Sequence, residues 1–386
     1  MKGKTAIVFI LVCMLVCGGT GCSAFKDKPA FEAQYTELGI PSKPYYSGKD
    51  LGLYISDMVI YNGKLYIGDG DYSTNTGPVN VMAYDLASGS WELSGTLPDE
   101  AVKRFVTIND ELIIPGTDPR GDWSFGNYYT LKESGWETVR TIPGGIHNFD
   151  MAEHNGMLFA ALGVEAGKYP VAVSKDGGGT FTSVTMEKDG IPLDTTGGEF
   201  VRCYDFFRLK NELYVIYFFS PNSGEYLIYE MYKYNAEREV FEFYSDILGR
   251  LSVDVTVGPE FINERTVFYD KMYAATGRLI ISDDMLNFKA INFPSGEKVW
   301  DLCAVGDMLY VLCSGEKEDG GHTVSVWSKR AEDSDTSFRK EFWFDYDIPA
   351  VSFTTNGSDF WFGMHNNISP HEKNGTVLYV KATNET

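Results

Sequence analysis

A hairpin pattern that recurs along the chain constrains the fold more than any other feature. One copy runs from Phe149 to Ala161, with Asn155-Gly156 between two short apolar stretches. This is the strongest local signal for a β-hairpin. Aligned on the first apolar residue after each turn, the copies have the anchors Leu65, Leu112, Leu158, Leu213, Met272, Leu309 and Phe360. Six of the seven residues that follow an anchor are aromatic, as expected for positions buried between stacked sheets.

The spacing of the anchors indicates the architecture. They lie 37 to 59 residues apart, and a second strand pair follows most hairpins, such as 81–85 turning through Ser88-Gly89 into 91–93. A period of about 50 residues with four strands in each unit is typical of kelch-like β-propellers. The sequence therefore predicts one all-β domain, a seven-bladed β-propeller of four-stranded antiparallel blades.

The last repeat unit lacks a strand, and the N-terminal region offers a replacement. After Val377–Lys381 the chain ends without a fourth strand for this unit. Residues 31–38 precede the first unit and have the composition of a strand. Because a closed ring leaves only short, protected sheet edges, we predict that this segment closes the last blade as its outer strand.

The first 22 residues have the pattern of an export signal. Lys2 and Lys4 precede an apolar run at 6–17, which is too short to span a bilayer. The ending, Gly18-Gly19-Thr20-Gly21-Cys22, resembles a bacterial lipoprotein signal, in which the cysteine is lipidated and becomes the mature N-terminus. The resemblance implies a signal peptide at 1–21, a lipidated tether with the ring-closing strand at 22–50, and the propeller at 51–386. It also implies a location outside the cytoplasm on a bacterial membrane; ordinary secretion with cleavage nearby is the alternative.

Charge and cysteine content exclude some classes of function. With 33 basic and 54 acidic residues, the formal net charge is −21. This argues against nucleic-acid binding and against broad adsorption to anionic lipid. The acidity serves solubility, or it attracts a cation or a basic ligand. Cys203, Cys303 and Cys313 lie in apolar strand patterns, and we expect free thiols rather than a disulfide framework.

A short motif in the third unit carries a second resemblance. The segment Ser174-Lys175-Asp176-Gly177-Gly178-Gly179-Thr180-Phe181 is similar to the Asp box, also called the BNR repeat, of sialidases and related propellers. The motif positions are Ser174, Asp176, Gly178, Thr180 and Phe181. In that family the box is a folding element of the turn between the third and fourth strands, so the resemblance implies a structural role.

Polar residues recur where each innermost strand begins. Eight residues before the anchors stand Asp57, Arg104, Asp150, Asp205, Glu264, Asp301 and Ser352, which we call the channel ring. We expect the ring near the central channel, on the face of the loops between the second and third strands. Under one hypothesis each carboxylate accepts backbone N–H bonds and fixes the joint between neighbouring blades. Under the other, the carboxylates converge and bind Ca²⁺, or a polar ligand together with Arg104.

No catalytic motif stands out, so the sequence favours binding over catalysis. It contains no nucleotide-binding loop, zinc-binding helix motif or serine elbow. We expect a monomeric, lipid-anchored binding or scaffold propeller that presents its loop face to a glycan or a protein. No residue is assigned a catalytic role, and Ca²⁺ is the one cofactor considered. The alternative is a divergent sialidase-like glycoside hydrolase or lyase, in which two ring acids would form the catalytic pair.

The lipidation hypothesis makes a direct prediction. A Cys22→Ala variant should lose its association with the membrane fraction, because the thioether-linked lipid would have no attachment point. Immunoblotting of membrane and soluble fractions measures this. A variant that stays with the membrane would contradict the hypothesis.

Overall fold

A computed structural model describes residues 29–45, 53–70, 77–118, 124–222, 227–247, 264–291, 293, 296–366 and 370–382. These residues form an all-β structure with a single 3-10 helix at Lys43–Tyr45 and no α-helix. In the same part of the chain there is no helix with the length and apolar character needed to cross a membrane. The predicted signal peptide and Cys22 lie outside the described residues.

The strands form six sheets, five of which are separate blades. The N-terminal segment contributes β1 (Phe31–Glu32) and β2 (Tyr35–Gly39). The first blade contains β3 (Asp57–Tyr61), β4 (Lys64–Gly68), β5 (Val79–Asp85) and β6 (Ser90–Leu97). The second contains β7 (Val106–Ile108), β8 (Glu111–Pro115), β9 (Phe125–Lys132) and β10 (Gly135–Pro143).

The third and fourth repeat units share one ten-stranded sheet. Its first half contains β11 (His147–His154), β12 (Met157–Val164), β13 (Val171–Ser174), β14 (Thr182–Ser183), β15 (Met186–Lys188) and β16 (Ile191–Pro192). Its second half contains β17 (Gly198–Leu209), β18 (Glu212–Pro221), β19 (Ile228–Asn235) and β20 (Val240–Asp246).

Three further blades complete the described structure. One contains β21 (Glu264–Phe268), β22 (Lys271–Ala275), β23 (Leu279–Ser282) and β24 (Lys289–Ile291). The next contains β25 (Lys298–Val305), β26 (Met308–Glu316), β27 (His322–Arg330) and β28 (Arg339–Tyr346). The last contains β29 (Ala350–Thr355), β30 (Asp359–Met364) and β31 (Thr376–Lys381).

The prediction of seven separate blades is therefore wrong, because five separate blades and one large sheet are observed. The two units of the large sheet are joined where the end of β12 pairs with β17, at Gly163 with Arg202 and Val164 with Val201. β15 also pairs in parallel with the outer strand β20. Strand β17 has 12 residues and extends beyond the usual blade length, which brings it alongside β12. The repeat pattern does not reveal such pairing, since it depends on how two units approach each other.

The N-terminal strand closes the last blade as predicted. β2 pairs antiparallel with β31, with Tyr35 opposite Val380, and supplies the fourth strand. β1 instead pairs in parallel with β28 of the preceding blade. Glu37 reinforces the closure, because it accepts a hydrogen bond of 3.0 Å from Tyr346 and one of 3.1 Å from Lys373. The segment thus ties two neighbouring blades together.

The hydrophobic core lies between the sheets, where the repeat analysis places it. All seven anchors are buried, and each is the second residue of its strand. Aromatic side chains fill the interfaces; the rings of Phe342 and Phe360, from neighbouring blades, are 5.0 Å apart in an edge-to-face arrangement. Burial of one such side chain stabilises the fold by about 1.5 to 3 kcal/mol, so the ring of interfaces dominates stability.

The cysteine predictions are confirmed for the described residues. Cys203, Cys303 and Cys313 are free thiols. Cys303 lies opposite Tyr310 in the β25–β26 pair, so it is not opposite Cys313. Burial raises the pKa of Cys303 to about 11, which keeps this thiol protonated at neutral pH.

The segment from Ser174 to Phe181 makes the local hydrogen bonds expected of a structural turn. Asp176 accepts bonds from the backbone N–H of Thr180 at 2.9 Å and from its hydroxyl at 2.8 Å. Ser174 Oγ donates to Asp176 at 2.7 Å and accepts from the N–H of Gly178 at 2.8 Å. These bonds lower the pKa of Asp176 to about 2. Asp176 thus holds the turn together through its own local hydrogen bonds.

The two central glycines of this turn provide a matched test of packing. Both have a positive φ, of 72° at Gly177 and 100° at Gly178. A Cβ at Gly177 would meet no atom within 4 Å, whereas a Cβ at Gly178 would lie 2.1 Å from the hydroxyl of the buried Tyr128. We predict that Gly177→Ala costs about 1 to 2 kcal/mol through backbone strain alone. Gly178→Ala should cost about 1 to 3 kcal/mol more through overpacking.

Chemical denaturation of both variants measures this difference. Equal free energies of unfolding for the two variants would show that the turn does not pack against Tyr128 as described.

Candidate functional site

The channel ring is buried within the propeller, deeper than the channel mouth at which the sequence analysis placed it. Arg104, Asp150, Asp205 and Asp301 are each less than 5% exposed. The residues of the ring lie on the innermost strands, except Arg104, which lies two residues before the start of β7. Register shifts occur at the ring position in β11, β17, β25 and β29. Such β-bulges redirect side chains, and they are not visible in the sequence pattern.

Several ring residues fix the joint between one unit and the next. Asp57 accepts the N–H of Met58 at 2.6 Å with one oxygen and the N–H of Phe105, in the next blade, at 2.7 Å with the other. Asp301 does the same with Leu302 at 2.7 Å and with Phe353 of the following blade at 2.6 Å. The carboxylates therefore bridge neighbouring units, as the first hypothesis proposed.

Two more ring positions form joints of the same kind. Asp150 accepts the N–H of Phe206, in the next repeat unit, at 2.7 Å. At the last position, Ser352 donates its hydroxyl to the carbonyl of Ile55 at 2.7 Å and so links the last blade to the first. Backbone donors and acceptors thus hold the ring in place around most of the channel.

Part of the ring also converges, as the second hypothesis proposed. Arg104 Nη1 lies 2.8 Å from Asp205 Oδ1 and 3.5 Å from Asp150 Oδ1. Its Nε lies 4.0 Å from Glu264 Oε2. Four units therefore contribute to one cluster of charges. Its centre is Arg104, the basic residue that the second hypothesis included in the binding site. Asp57 and Asp301 form no ion pair within the described residues.

Arg265 belongs to this cluster, and the sequence analysis missed it. Its guanidinium bonds to Asp150, lies 3.5 Å from Asp205 Oδ1, and donates from Nε to the carbonyl of Phe206 at 2.6 Å. A signal was present, because Arg265 is the one charged residue at a repeat position that is otherwise apolar. Its side chain and that of Arg104 neutralise acids that would otherwise repel each other.

The calcium hypothesis gains no support from the geometry. Across the described ranges, no three His, Cys, Asp or Glu side chains are grouped so that they would hold a metal ion. The acids of the converging half instead have arginine partners, and the arginines occupy the place that a cation would take.

The two halves of the ring differ in their electrostatics. Burial alone would raise the pKa of Asp205, but attraction by Arg104, Arg265 and Lys103 outweighs it and lowers the pKa. On the other half, burial and repulsion by Glu264 raise the pKa of Asp57 to about 7. Burial, then Glu264 and Asp57, raise the pKa of Asp301 well above its usual value. Asp205 is therefore favoured as a carboxylate, whereas Asp57 and Asp301 keep their protons to higher pH than usual.

The ring separates two parts of the channel. We call the side from which the innermost strands begin the loop side, and the side of the first hairpin turns, such as Asn155-Gly156, the turn side. On the turn side lies a cavity of about 650 Å³, bounded at the ring by Arg104, Glu264 and Arg265. Its walls come from the parts of β7, β11, β17 and β21 that follow the ring.

On the loop side, a cationic and aromatic cluster lies next to the ring. The ammonium of Lys103 lies 5.4 Å from the centre of the Phe149 ring and 5.3 Å from that of Tyr204. Burial lowers the pKa of Lys103 to about 8, although Asp205 partly opposes this. Arg202 donates to the Tyr204 hydroxyl at 2.9 Å, and His147 stacks on Phe149 at 5.3 Å. The sequence analysis did not identify Lys103, which has no counterpart in the other units.

Several residues of the predicted loops lie outside the described part of the chain. They include Asp71, Tyr72, Asn367 and residues 119–123. Asp118 is described, and its carboxylate lies 3.8 Å from His147 Nδ1. His147 Nδ1 also lies 2.8 Å from the carbonyl of Thr117.

Comparison with known proteins identifies no family and gives only distant structural similarity. No family model and no curated protein matches the chain. Among solved structures, a proposed 6-phosphogluconolactonase from Bacteroides fragilis is 11% identical with a TM-score of 0.45, covering 78% of this chain and 88% of that one. Puromycin hydrolase is 13% identical with a TM-score of 0.49, covering 87% of this chain and 52% of that one. The Dos1 propeller is 11% identical with a TM-score of 0.47, covering 86% and 79% respectively.

This chain spans about half the length of the puromycin hydrolase chain that it matches. Because all these TM-scores are below 0.5, the comparison says nothing about the activity of this chain.

The raised pKa of Asp57 predicts a pH effect on stability. Its pKa is about 7 in the folded chain and 3.8 as its ordinary value, so between these values only the folded state holds the proton. Asp57 therefore makes stability fall as pH rises in this window. In Asp57→Asn, the slope of the unfolding free energy against pH, from about pH 5 to about pH 7, should become more positive by at most about 1.4 kcal/mol per unit.

Denaturation of wild type and variant across this pH range measures the slope. Asp85→Asn is the control, because Asp85 also accepts backbone N–H bonds but has a lowered pKa and is ionised in both states throughout the window. An Asp57→Asn slope equal to that of wild type would contradict the assignment.

Proposed function

We propose that this chain is an extracytoplasmic binding propeller that receives an acidic glycan at the loop side of its channel and does not turn it over. One observation carries the proposal: the half-buried ammonium of Lys103 has no hydrogen-bond acceptor and no ion-pair partner among the described residues. A partly buried charge without a partner is costly. A bound carboxylate would neutralise the Lys103 ammonium and also accept hydrogen bonds from it.

The surroundings of Lys103 support a sugar that carries the carboxylate. Phe200 is 39% exposed, and the guanidinium carbon of Arg202 lies 4.5 Å from the centre of its ring. Aromatic surfaces pack against the apolar C–H faces of sugars, while neighbouring cations hold the acidic group. Because the whole chain has a net charge of −21, an acidic ligand is repelled elsewhere on the surface. The local positive cluster would therefore also direct the ligand to this place.

The state of the ring acids argues against the alternative of a sialidase-like hydrolase or lyase. A glycosidase needs two carboxyl groups free to act as acid and as nucleophile or base. Asp150 and Asp205 are paired with arginines, whereas Asp57 and Asp301 hold backbone N–H groups of two units. Removing any of them from these bonds would open a joint of the propeller. We therefore favour binding without catalysis.

The proposal includes the membrane anchor. Lipid attached to Cys22 would tether the propeller to a bacterial membrane, with the segment that precedes β1 as a spacer. Support for this comes from the sequence of the first 22 residues.

The test is calorimetric titration with galacturonate oligomers and sialyllactose as acidic probes. Lys103→Met should weaken binding about tenfold to a hundredfold, the expected effect of losing a charged hydrogen bond. Lys175→Met is the matched control, because Lys175 is exposed and pairs with Glu239 at 2.6 Å. Raising the pH above about 8 should also weaken binding, since the pKa of Lys103 is about 8 and the amine loses its charge.

Equal affinities of wild type and Lys103→Met would refute the site. Hydrolysis of the probes, detected as new reducing ends, would refute the absence of catalysis.

A further inference from the structure

The turn-side cavity has a polar end that is not satisfied by the protein itself. Arg104 borders the cavity, is 3% exposed, and its buried Nε has no hydrogen-bond partner within the described residues. Glu264 borders it too, and its Oε2 lies 4.0 Å from Arg104 Nε. This separation is too long for a direct hydrogen bond. Leaving a buried donor of a charged group unpaired is unfavourable, so the site favours an occupant.

One hydroxyl group would satisfy both atoms. Its oxygen would accept from Arg104 Nε and donate its proton to Glu264 Oε2, with ordinary bond lengths to each because the two atoms are 4.0 Å apart. An anion at this point would be repelled by Glu264, Asp150 and Asp205. A cation would be repelled by Arg104 and Arg265. An apolar group would leave both atoms unpaired.

The rest of the cavity suits a ligand with both hydroxyl and C–H surface. Met151, Phe206 and Val267 supply apolar wall, whereas Thr107 and Asn109 supply polar groups toward the hairpin turns. The volume of about 650 Å³ lies within the range of small-molecule sites, about 300 to 1,000 Å³.

We propose that the turn-side cavity binds a neutral polyhydroxylated small molecule, a monosaccharide or a cyclic polyol, through a hydroxyl that bridges Arg104 Nε and Glu264 Oε2. This site is distinct from the acidic-glycan site, because Lys103 does not line the cavity. A water molecule makes the same bridge, so the ligand must displace it and gain the contacts of the walls.

Saturation-transfer NMR with glucose, myo-inositol and glycerol as probes tests the site in the millimolar range, followed by titration of the best probe. Thr107→Trp should raise its Kd about tenfold or more, because the indole fills the cavity from an exposed position without disturbing the ring. Thr138→Trp is the control, since Thr138 is also exposed but lies on the outer strand β10, away from the cavity. Glu264→Gln should weaken binding as well, because the amide cannot accept as strongly as the carboxylate.

Several outcomes separate this inference from the proposed function. Lys103→Met should bind the polyol as wild type does, even if it loses acidic glycans. If none of the probes shows saturation transfer, the cavity holds water only and the inference is overturned. Binding by Thr107→Trp equal to that of Thr138→Trp would overturn it too, provided that both variants have the melting temperature of a folded propeller.

Discussion

The structure depends on one interaction, the bond from a buried carboxylate to the backbone N–H of the next repeat unit. Asp57, Asp150 and Asp301 each make it, and it reaches from one innermost strand to the next. A typical hydrogen bond contributes about 0.5 to 1.5 kcal/mol net, and here it also sets the distance and register of two sheets. The apolar interfaces supply most of the stability, but they are less directional. The ring of carboxylates therefore determines how the interfaces meet.

This constraint has a consequence for function. The acids that hold the joints are engaged in backbone hydrogen bonds, and arginines neutralise the others. Arg104 and Arg265 bind Asp150 and Asp205 in a buried cluster between the two ends. Each end then has its own chemistry. A lysine without an acceptor among the described residues lies on the loop side, whereas a donor and an acceptor 4.0 Å apart lie on the turn side. The same ring that stabilises the propeller thus separates two distinct candidate sites.

Much of this arrangement was predictable because it repeats. The period of the hairpins located the buried anchors, the free cysteines followed from strand register, and the missing last strand pointed to the N-terminal segment. The recurrence of an acid eight residues before five of the seven anchors located the ring. Features that occur only once were missed. Lys103 and Arg265 have no counterparts in other units, and the pairing of β12 with β17 depends on one unusually long strand.

The strands within each repeat, the closing strand and the ring positions follow from the sequence alone, since these depend on local hydrophobic period and turn residues. Only the tertiary structure decided which acids meet an arginine and which hold a proton, because that depends on distances between units far apart in the chain. It also decided the number of separate sheets. Arg104 and Asp205 are 101 residues apart in sequence but 2.8 Å apart in space. Burial converts such proximity into strong ion pairing and shifted pKa values, and no pattern within a single unit carries that information.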